Sequence, residues 1–102
     1  MPLFVMIGRD GEDGPVKRPA TRPRHLAHLE PLDRAGRIEI AGPMFDADGS
    51  TPRGSVVIFE AENLAAAREI AARDPYVLEG VFATWEIHPF KIVFPELPEL
   101  PG

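Results

Sequence analysis

The sequence predicts an α+β domain of the ferredoxin-like type, with two helices on one face of a four-stranded antiparallel sheet. Strand and helix patterns follow one another in the order β-α-β-β-α-β, which is typical of this sandwich. The 102 residues are enough for one hydrophobic core without disulfides or metal, and too few for a second independent domain. We therefore expect one domain over residues 1–94 and a proline-spaced tail over residues 95–102.

The first third of the chain predicts a strand, a loop and a helix. Residues 3–7 form an apolar run rich in strand formers, and a charged loop with glycines follows over residues 8–14. Leucines then recur at three-residue steps and predict a helix over residues 23–35, with Pro23 in its first turn. Because Pro31 lacks a backbone N–H, we expect it to kink or shorten this helix.

The remaining elements are predicted from alternation, capping and β-branched residues. Residues 37–43 alternate isoleucine with charged side chains, which predicts a strand with one polar face that suits a sheet edge. Asn63 is a favourable N-cap for the alanine-rich second helix that follows it. The other predicted elements are a hairpin loop at 46–53, strands at 54–60 and 81–90, a helical turn at 75–79 and a short strand extension at 92–94.

The predicted strands are apolar on both sides, although helices would cover only one face of the sheet. Strands 3–7 and 54–60 carry large apolar residues at odd and even positions alike. An exposed patch of this size exceeds what soluble monomers usually tolerate. We therefore expect a homodimer that packs through the open sheet face. The alternatives are strand assignments that slip by one residue, or a tail that folds back over the face.

Composition and charge narrow the class of protein. The chain has no cysteine, which excludes disulfides, thiolate zinc sites and cysteine nucleophiles and suits a cytoplasmic protein. Sixteen acidic and 11 basic residues give a net charge of -5, which repels a phosphate backbone. The basic cluster at residues 17–24 is interpreted as a solvated face or a funnel for a small anion, so nucleic acid is not expected as a partner. Neither a signal peptide nor a membrane span is predicted.

His25 is the candidate residue for chemistry on the first predicted helix. On a helical wheel it falls near the centre of the apolar arc of Leu26, Leu29 and Leu32, so it should face the sheet at the rim of the core. The simpler interpretation is a buried, hydrogen-bonded histidine at the core edge. His28 offers a second nitrogen, but no third ligand stands at a suitable spacing, so neither a metal nor another cofactor is expected.

Asp74 is the candidate acidic residue. It directly precedes Pro75, and this pair is typical of an N-cap followed by a first-turn proline. The spacing along the chain does not bring Asp74 near His25, because the end of the second helix does not obviously meet the start of the first. From the residues alone, a structural cap and a functional carboxylate both remain open.

Several segments together resemble the YciI-like, or YCII-related, protein family. They are RPRHLAHLEPL at residues 22–32, AGP at 41–43, GSVVIFEAENLAAAREIAARDPYV at 54–77 and GVFATWEIHPFKIVF at 80–94. The resemblance implies a dimeric α/β barrel similar to that of muconolactone isomerase, which agrees with the expected dimer. It also implies that a histidine and an aspartate share a pocket, at His25 and Asp74, and that some relatives dehydrochlorinate aromatic compounds. The chain departs from the family pattern at Pro31 and in the short loop at 46–53.

The leading functional hypothesis is a cofactor-independent enzyme that acts on a small organic substrate, cyclic or anionic. His25 would be the general acid/base and Asp74 would orient it, in a reaction of the lyase, dehydrochlorinase or isomerase type. One alternative is a non-catalytic module that binds a small molecule or a protein in the same cleft. A monooxygenase-like dimer is a further alternative, although Trp85 and Phe82 are better explained by sheet packing. The candidate substrate-binding residues are Arg22, as an anion anchor, with Gly42, Pro43 and Ser55.

Overall fold

The computed structural model describes residues 1–96 and contains one four-stranded antiparallel sheet with helices packed on one face. The elements in chain order are β1 (Leu3–Asp10), α1 (Gly14–Arg34), β2 (Ile38–Phe45), β3 (Pro52–Glu60), α2 (Leu64–Ala72), α3 (Pro75–Leu78) and β4 (Phe82–Phe90). The strand order is β2-β3-β1-β4. The predicted ferredoxin-like fold is therefore confirmed, with the third strand beside the first.

The core lies between this sheet and the helices. Met6 at the centre of β1 pairs with Val57 of β3 on one side and Ile87 of β4 on the other, and all three side chains are buried. Ala67 and Ala71 of α2 pack on this layer, and their small size lets the helix approach the sheet closely. Burying each large side chain contributes about 1.5–3 kcal/mol, so this layer supplies much of the stability.

The first helix is longer than the sequence predicts. It begins at Gly14 and not at Pro23, so the segment between them is helical and the expected loop shrinks to residues 11–13. Pro15 lies in the first turn, where the missing N–H has no intrahelical partner to lose. Pro19, Pro23 and Pro31 lie inside the helix but are exposed, so water can bond the carbonyls they leave free. Pro31 therefore does not end the helix, which continues to Arg34.

The buried side of α1 also differs from the predicted arc. His25, Leu29 and Leu32 are buried as expected, whereas Leu26 is 44% exposed. The longer helix extends the buried stripe backwards to Gly14 and includes Arg18, which belongs to the cluster that the sequence predicts to be a solvated face or a funnel for a small anion. The stripe follows steps of three and four residues, and Leu26 falls beside it.

The described sheet has three register shifts, and two of them correct the predicted strand faces. A register shift sets Ile38 opposite Phe59 on the helix side and Ile40 opposite Ile58 on the open side. The edge position of β2 is as predicted, but its single polar face is wrong, and Ile40 is 59% exposed. A second shift at the end of β1 brings Phe82 to the helix side of the sheet, where Ile87 also lies. Strict alternation along β4 predicted these two side chains on opposite faces.

The strand ends and the segment after β4 also differ from the predicted bounds. β1 and β3 are each longer than predicted, and the loop between β2 and β3 is correspondingly shorter. Residues 91–93 form no strand, so the expected extension at 92–94 is absent from the described chain. Most of the predicted tail, residues 97–102, lies outside the described residues. Within residues 1–96 no helix is long and apolar enough to cross a bilayer.

Gly8 of β1 makes room for the aromatic side chain that supports the candidate site. A Cβ atom at this position would lie 2.5–2.6 Å from three carbons of the Phe82 ring. That ring is buried and meets Tyr76 edge-on, with the two centroids 5.5 Å apart. Because Phe82 is held on both sides, it cannot move away without disturbing Tyr76.

We expect Gly8→Ala to lower the free energy of unfolding by about 1–3 kcal/mol, because the added methyl group overpacks the Phe82 ring. Chemical denaturation of the two proteins measures the change. Gly42→Ala is the matched control, since a Cβ at that strand position meets no atom within 4 Å. Equal stability of the two variants would contradict the proposed packing role of Gly8.

Candidate functional site

A cavity of about 160 Å³ opens between α1 and the strands β2 and β3. Apolar side chains of α1 and β3 form much of its wall, together with Ala41, Gly42 and Pro43 of β2. Its polar wall residues are Arg18, Arg22, His25, Ser55 and Tyr76. The cavity thus combines an apolar body with a few convergent polar groups, which is the usual composition of a small-molecule site.

His25 and Asp74 are in direct contact, although 49 residues separate them in the sequence. Nδ1 of His25 lies 2.7 Å from Oδ1 and 2.9 Å from Oδ2 of Asp74, and both side chains are buried. An ionised carboxylate can only accept hydrogen bonds, so Nδ1 carries the proton and donates it to Asp74. In the neutral ring Nε2 is then the free acceptor, and no protein partner of Nε2 is found within residues 1–96.

Asp74 does not itself line the cavity but supports His25 from behind. Oδ1 also accepts the backbone N–H of Tyr76 at 2.9 Å, so the same carboxylate caps α3. The cap predicted from the sequence is therefore present, and the same carboxylate also contacts His25. The contact with His25 exists because α3 packs across α1, a relation that spacing along the chain does not encode.

Tyr76 fixes the plane of the imidazole. Its ring stacks on that of His25 with the centroids 3.8 Å apart and an angle of 4° between the planes. Burial raises the pKa of the Tyr76 hydroxyl above its ordinary value, and the positive charges of Arg18 and Arg22 oppose this only in part. Tyr76 therefore stays protonated at neutral pH, and its hydroxyl oxygen accepts from the guanidinium of Arg18.

Arg18 forms the second buried ion pair beside the cavity. Its Nε and Nη2 atoms each donate to an oxygen of Asp10 at 2.8 Å, and Nη2 also donates to Oγ of Ser55 at 3.1 Å. Burial alone would lower the pKa of Arg18, but the hydrogen bond and the negative charge of Asp10 raise it above its ordinary value. The guanidinium therefore remains charged and is held in one orientation.

The predicted site residues fall into two groups. His25, Arg22, Gly42, Pro43 and Ser55 all line the cavity, whereas Asp74 lies behind His25. Arg22 is exposed. Sequence reasoning missed three residues, Arg18, Asp10 and Tyr76. The available signals were the seven-residue spacing of Arg18 from His25 on one helix and the position of Tyr76 directly after the Asp74-Pro75 cap.

His28 takes part in a different contact. Its Nε2 lies 2.9 Å from the carbonyl oxygen of Ile70. A carbonyl only accepts, so Nε2 carries a proton there and ties α1 to α2. No cluster of three or more His, Asp or Glu side chains that could hold a metal ion occurs in residues 1–96.

Comparison with known proteins identifies the same family as the sequence segments. The family model for the YCII-related domain matches residues 2–91. Protein YciI of Escherichia coli O6:H1 is 43% identical over 97 residues, which cover 90% of this chain and 99% of the relative.

Solved structures show a similar fold. The 5-chloro-2-hydroxyhydroquinone dehydrochlorinase of Burkholderia phenoliruptrix AC1100, in complex with 2,5-dihydroxybenzoquinone, is 30% identical with a TM-score of 0.78. The match covers 87% of this chain and 93% of that one. An antibiotic biosynthesis monooxygenase is 12% identical with a TM-score of 0.54, covering 91% of this chain and 99% of that one, and this likeness concerns the fold alone. The length of the family match and the identity to YciI show that the chain belongs to the YCII-related domain family.

Proposed function

We propose that the chain is an enzyme that moves protons on a small organic substrate without a cofactor. His25 is the general acid/base, and Asp74 orients it. The observation that carries this proposal is the contact of Nδ1 with both oxygens of Asp74, which leaves Nε2 as the reactive nitrogen. A fixed orientation is the first requirement for a general base. The imidazole of His25 meets it, because Asp74 holds one edge of the ring and Tyr76 packs on one face.

The size of the cavity favours a substrate with a single ring. A cavity of about 150 Å³ holds benzene in another protein, and the volume beside His25 is about 160 Å³. The Burkholderia relative acts on a six-membered ring and was solved with another. Loss of HCl from such a ring requires a base to take a proton while chloride leaves with the electrons of the C–Cl bond, which is a task that His25 suits.

The proposed contacts to the substrate come from both walls of the cavity. Arg22 at the mouth attracts an anionic group. The backbone of Gly42 and Pro43 and the side chain of Ser55 border the space where the ring would lie. These roles rest on position in the cavity wall, and each can be tested by substitution.

We also propose that the functional unit is a homodimer of one domain per chain, spanning residues 1–94, in the cytoplasm. The open face of the sheet carries Val5, Ile7, Val56 and Ile58 side by side, with Ile40 on the edge strand. These side chains are only partly covered by the chain itself. A second copy packed sheet against sheet would remove them from water, which supports the dimer.

Replacing His25 with Gln should lower the release of chloride from 5-chloro-2-hydroxyhydroquinone by about 100- to 10,000-fold, because the general base is lost. Chloride-selective electrode readings on the two proteins measure the rate. His28→Gln is the matched control, since its imidazole bonds the Ile70 carbonyl outside the cavity. An unchanged rate in the His25 variant would refute its role, and a wild-type protein that binds the compound and returns it unchanged would indicate a binding module.

Asp74→Asn should leave the protein folded, because the amide oxygen can still accept the Tyr76 N–H. The amide no longer restricts Nδ1 to the donor role, so the imidazole can adopt the other tautomer and turnover should fall by about 100- to 10,000-fold. Nitrogen NMR of His25 reports the tautomer directly. A turnover loss without any change in the His25 nitrogen signals would contradict an orienting role for Asp74.

Ile58→Lys should convert the dimer into a monomer, because it buries a charge at the centre of the proposed interface. Light scattering after size-exclusion chromatography measures the mass. Leu78→Lys is the control, since Leu78 is 68% exposed on α3, away from the open sheet face. A dimer that survives Ile58→Lys would place the interface elsewhere.

A further inference from the structure

Arg18 is buried beside the cavity, whereas Arg22 on the same helix is exposed. Its side chain is only 10% exposed, and that of its partner Asp10 is 1% exposed. Asp10 binds Nε and Nη2 in the side-on, two-bond arrangement that arginine and carboxylate favour. Because Ser55 accepts a further bond from Nη2, the guanidinium has little freedom to rotate.

Three of the five N–H groups of Arg18 are thereby used, and the two on Nη1 are not. The hydrogen bonds of Arg18 found within residues 1–96 all come from Nε and Nη2. The hydroxyl of Tyr76 is the other group near the guanidinium, and it contributes to the raised pKa of Arg18. In this part of the chain, one side-chain polar atom is fully buried without a hydrogen-bond partner, and it is Nε of Arg37. Nη1 of Arg18 is thus not a fully buried, unpaired atom. Nη1 of Arg18 is therefore accessible, on a residue that lines the cavity.

Arg18 and His25 converge on one aromatic ring. Cζ of Arg18 lies 4.7 Å from the centroid of Tyr76, and the imidazole of His25 lies 3.8 Å from the same centroid. Because both distances end at the same point, Cζ of Arg18 and the imidazole centroid of His25 are separated by no more than their sum. Both residues also line the same cavity, so the two groups lie within the length of a ligand with a single substituted ring.

The open polar groups of the cavity are mostly hydrogen-bond donors. Both buried carboxylates are already bonded, Asp10 by Arg18 and Asp74 by His25 and the backbone of α3. The donors that remain are the N–H groups of Arg18 and Arg22 and the hydroxyls of Ser55 and Tyr76, and Nε2 of His25 is the free acceptor. A ligand that fits this wall must supply acceptor oxygens.

We propose that Arg18 is a specificity-determining residue that binds an anionic oxygen carried by a single-ring substrate. The charge of Arg18 is balanced by Asp10, so the cavity recognises the oxygen through directed N–H bonds and not through net positive charge. Arg22 at the mouth guides the anion, and Arg18 holds it beside His25. The link to catalysis rests on the proposed function, whereas anion binding by Arg18 can be measured without turnover.

The test compares benzoate with benzamide, which have nearly the same shape and differ in charge. Binding is measured by titration calorimetry on the intact protein and on the double variant Asp10→Asn/Arg18→Gln. The two amides can still bond each other, and the net charge of the protein is unchanged. We expect the dissociation constant for benzoate to rise about 10- to 100-fold, as for loss of a charged hydrogen bond, while that for benzamide changes less than about threefold.

Two further variants keep the test decisive. Arg18→Lys retains the ion pair with Asp10 but lacks the planar fork, so it should also weaken benzoate binding. This variant tests the proposal if the double variant does not fold. Arg22→Gln should weaken benzoate binding less than the double variant does, and added salt should remove most of its effect.

Three results would overturn the assignment of Arg18. They are equal benzoate affinity in the folded double variant and the wild type, an equal loss for benzamide, and no saturable binding of benzoate by the wild type at millimolar concentrations. His25→Gln separates this proposal from the catalytic one, because it should lower turnover by about 100- to 10,000-fold and still bind benzoate. If His25→Gln loses benzoate binding while the Arg18 variants keep it, His25 and not Arg18 binds the anion.

Discussion

The carboxylate of Asp74 is the contact on which the arrangement of the site depends. It accepts from Nδ1 of His25 on α1 and from the backbone N–H of Tyr76 on α3. One side chain therefore begins a helix, joins that helix to another and sets the tautomer of the imidazole. Because the carboxylate is buried, removing either donor would leave it unsatisfied, which is costly in a low-dielectric interior.

A second buried carboxylate, that of Asp10, holds a side chain of α1 in the same way. Its partner is Arg18, which lies about two helical turns before His25. Breaking a buried ion pair by removing one member typically costs about 3–5 kcal/mol, because the other charge stays behind without compensation. Tyr76 lies against both pairs, stacked on His25 and beneath the guanidinium. Its position in turn depends on Phe82, which can occupy its place only because residue 8 has no side chain. The polar site is thus supported by aromatic contacts that lead from Tyr76 through Phe82 to Gly8 of β1.

The sequence predicted the order of the elements because each has a local cause. Asn63 caps α2, Asp74 and Pro75 begin α3, and β-branched residues fill β3. The start of α1 was not predictable from the same signals, since Pro19 and Pro23 inside a helix argue against one. The helix forms because those prolines face water while Arg18 and His25 face the cavity. Alternation likewise failed for Ile40 and Phe82, where a register shift of one residue reverses which face the side chain takes.

The sequence by itself determined the fold class, the edge position of β2 and the apolar residues on both faces of the sheet, because these follow from periodicity and turn chemistry. It also marked His25 as facing inward, since a helical wheel needs no tertiary information. Only the tertiary structure decided that His25 meets Asp74, and that Arg18 is buried against Asp10 and Ser55. These pairs join residues 8 to 49 positions apart. Their contacts depend on how helices pack on the sheet and on one another, which no local pattern encodes.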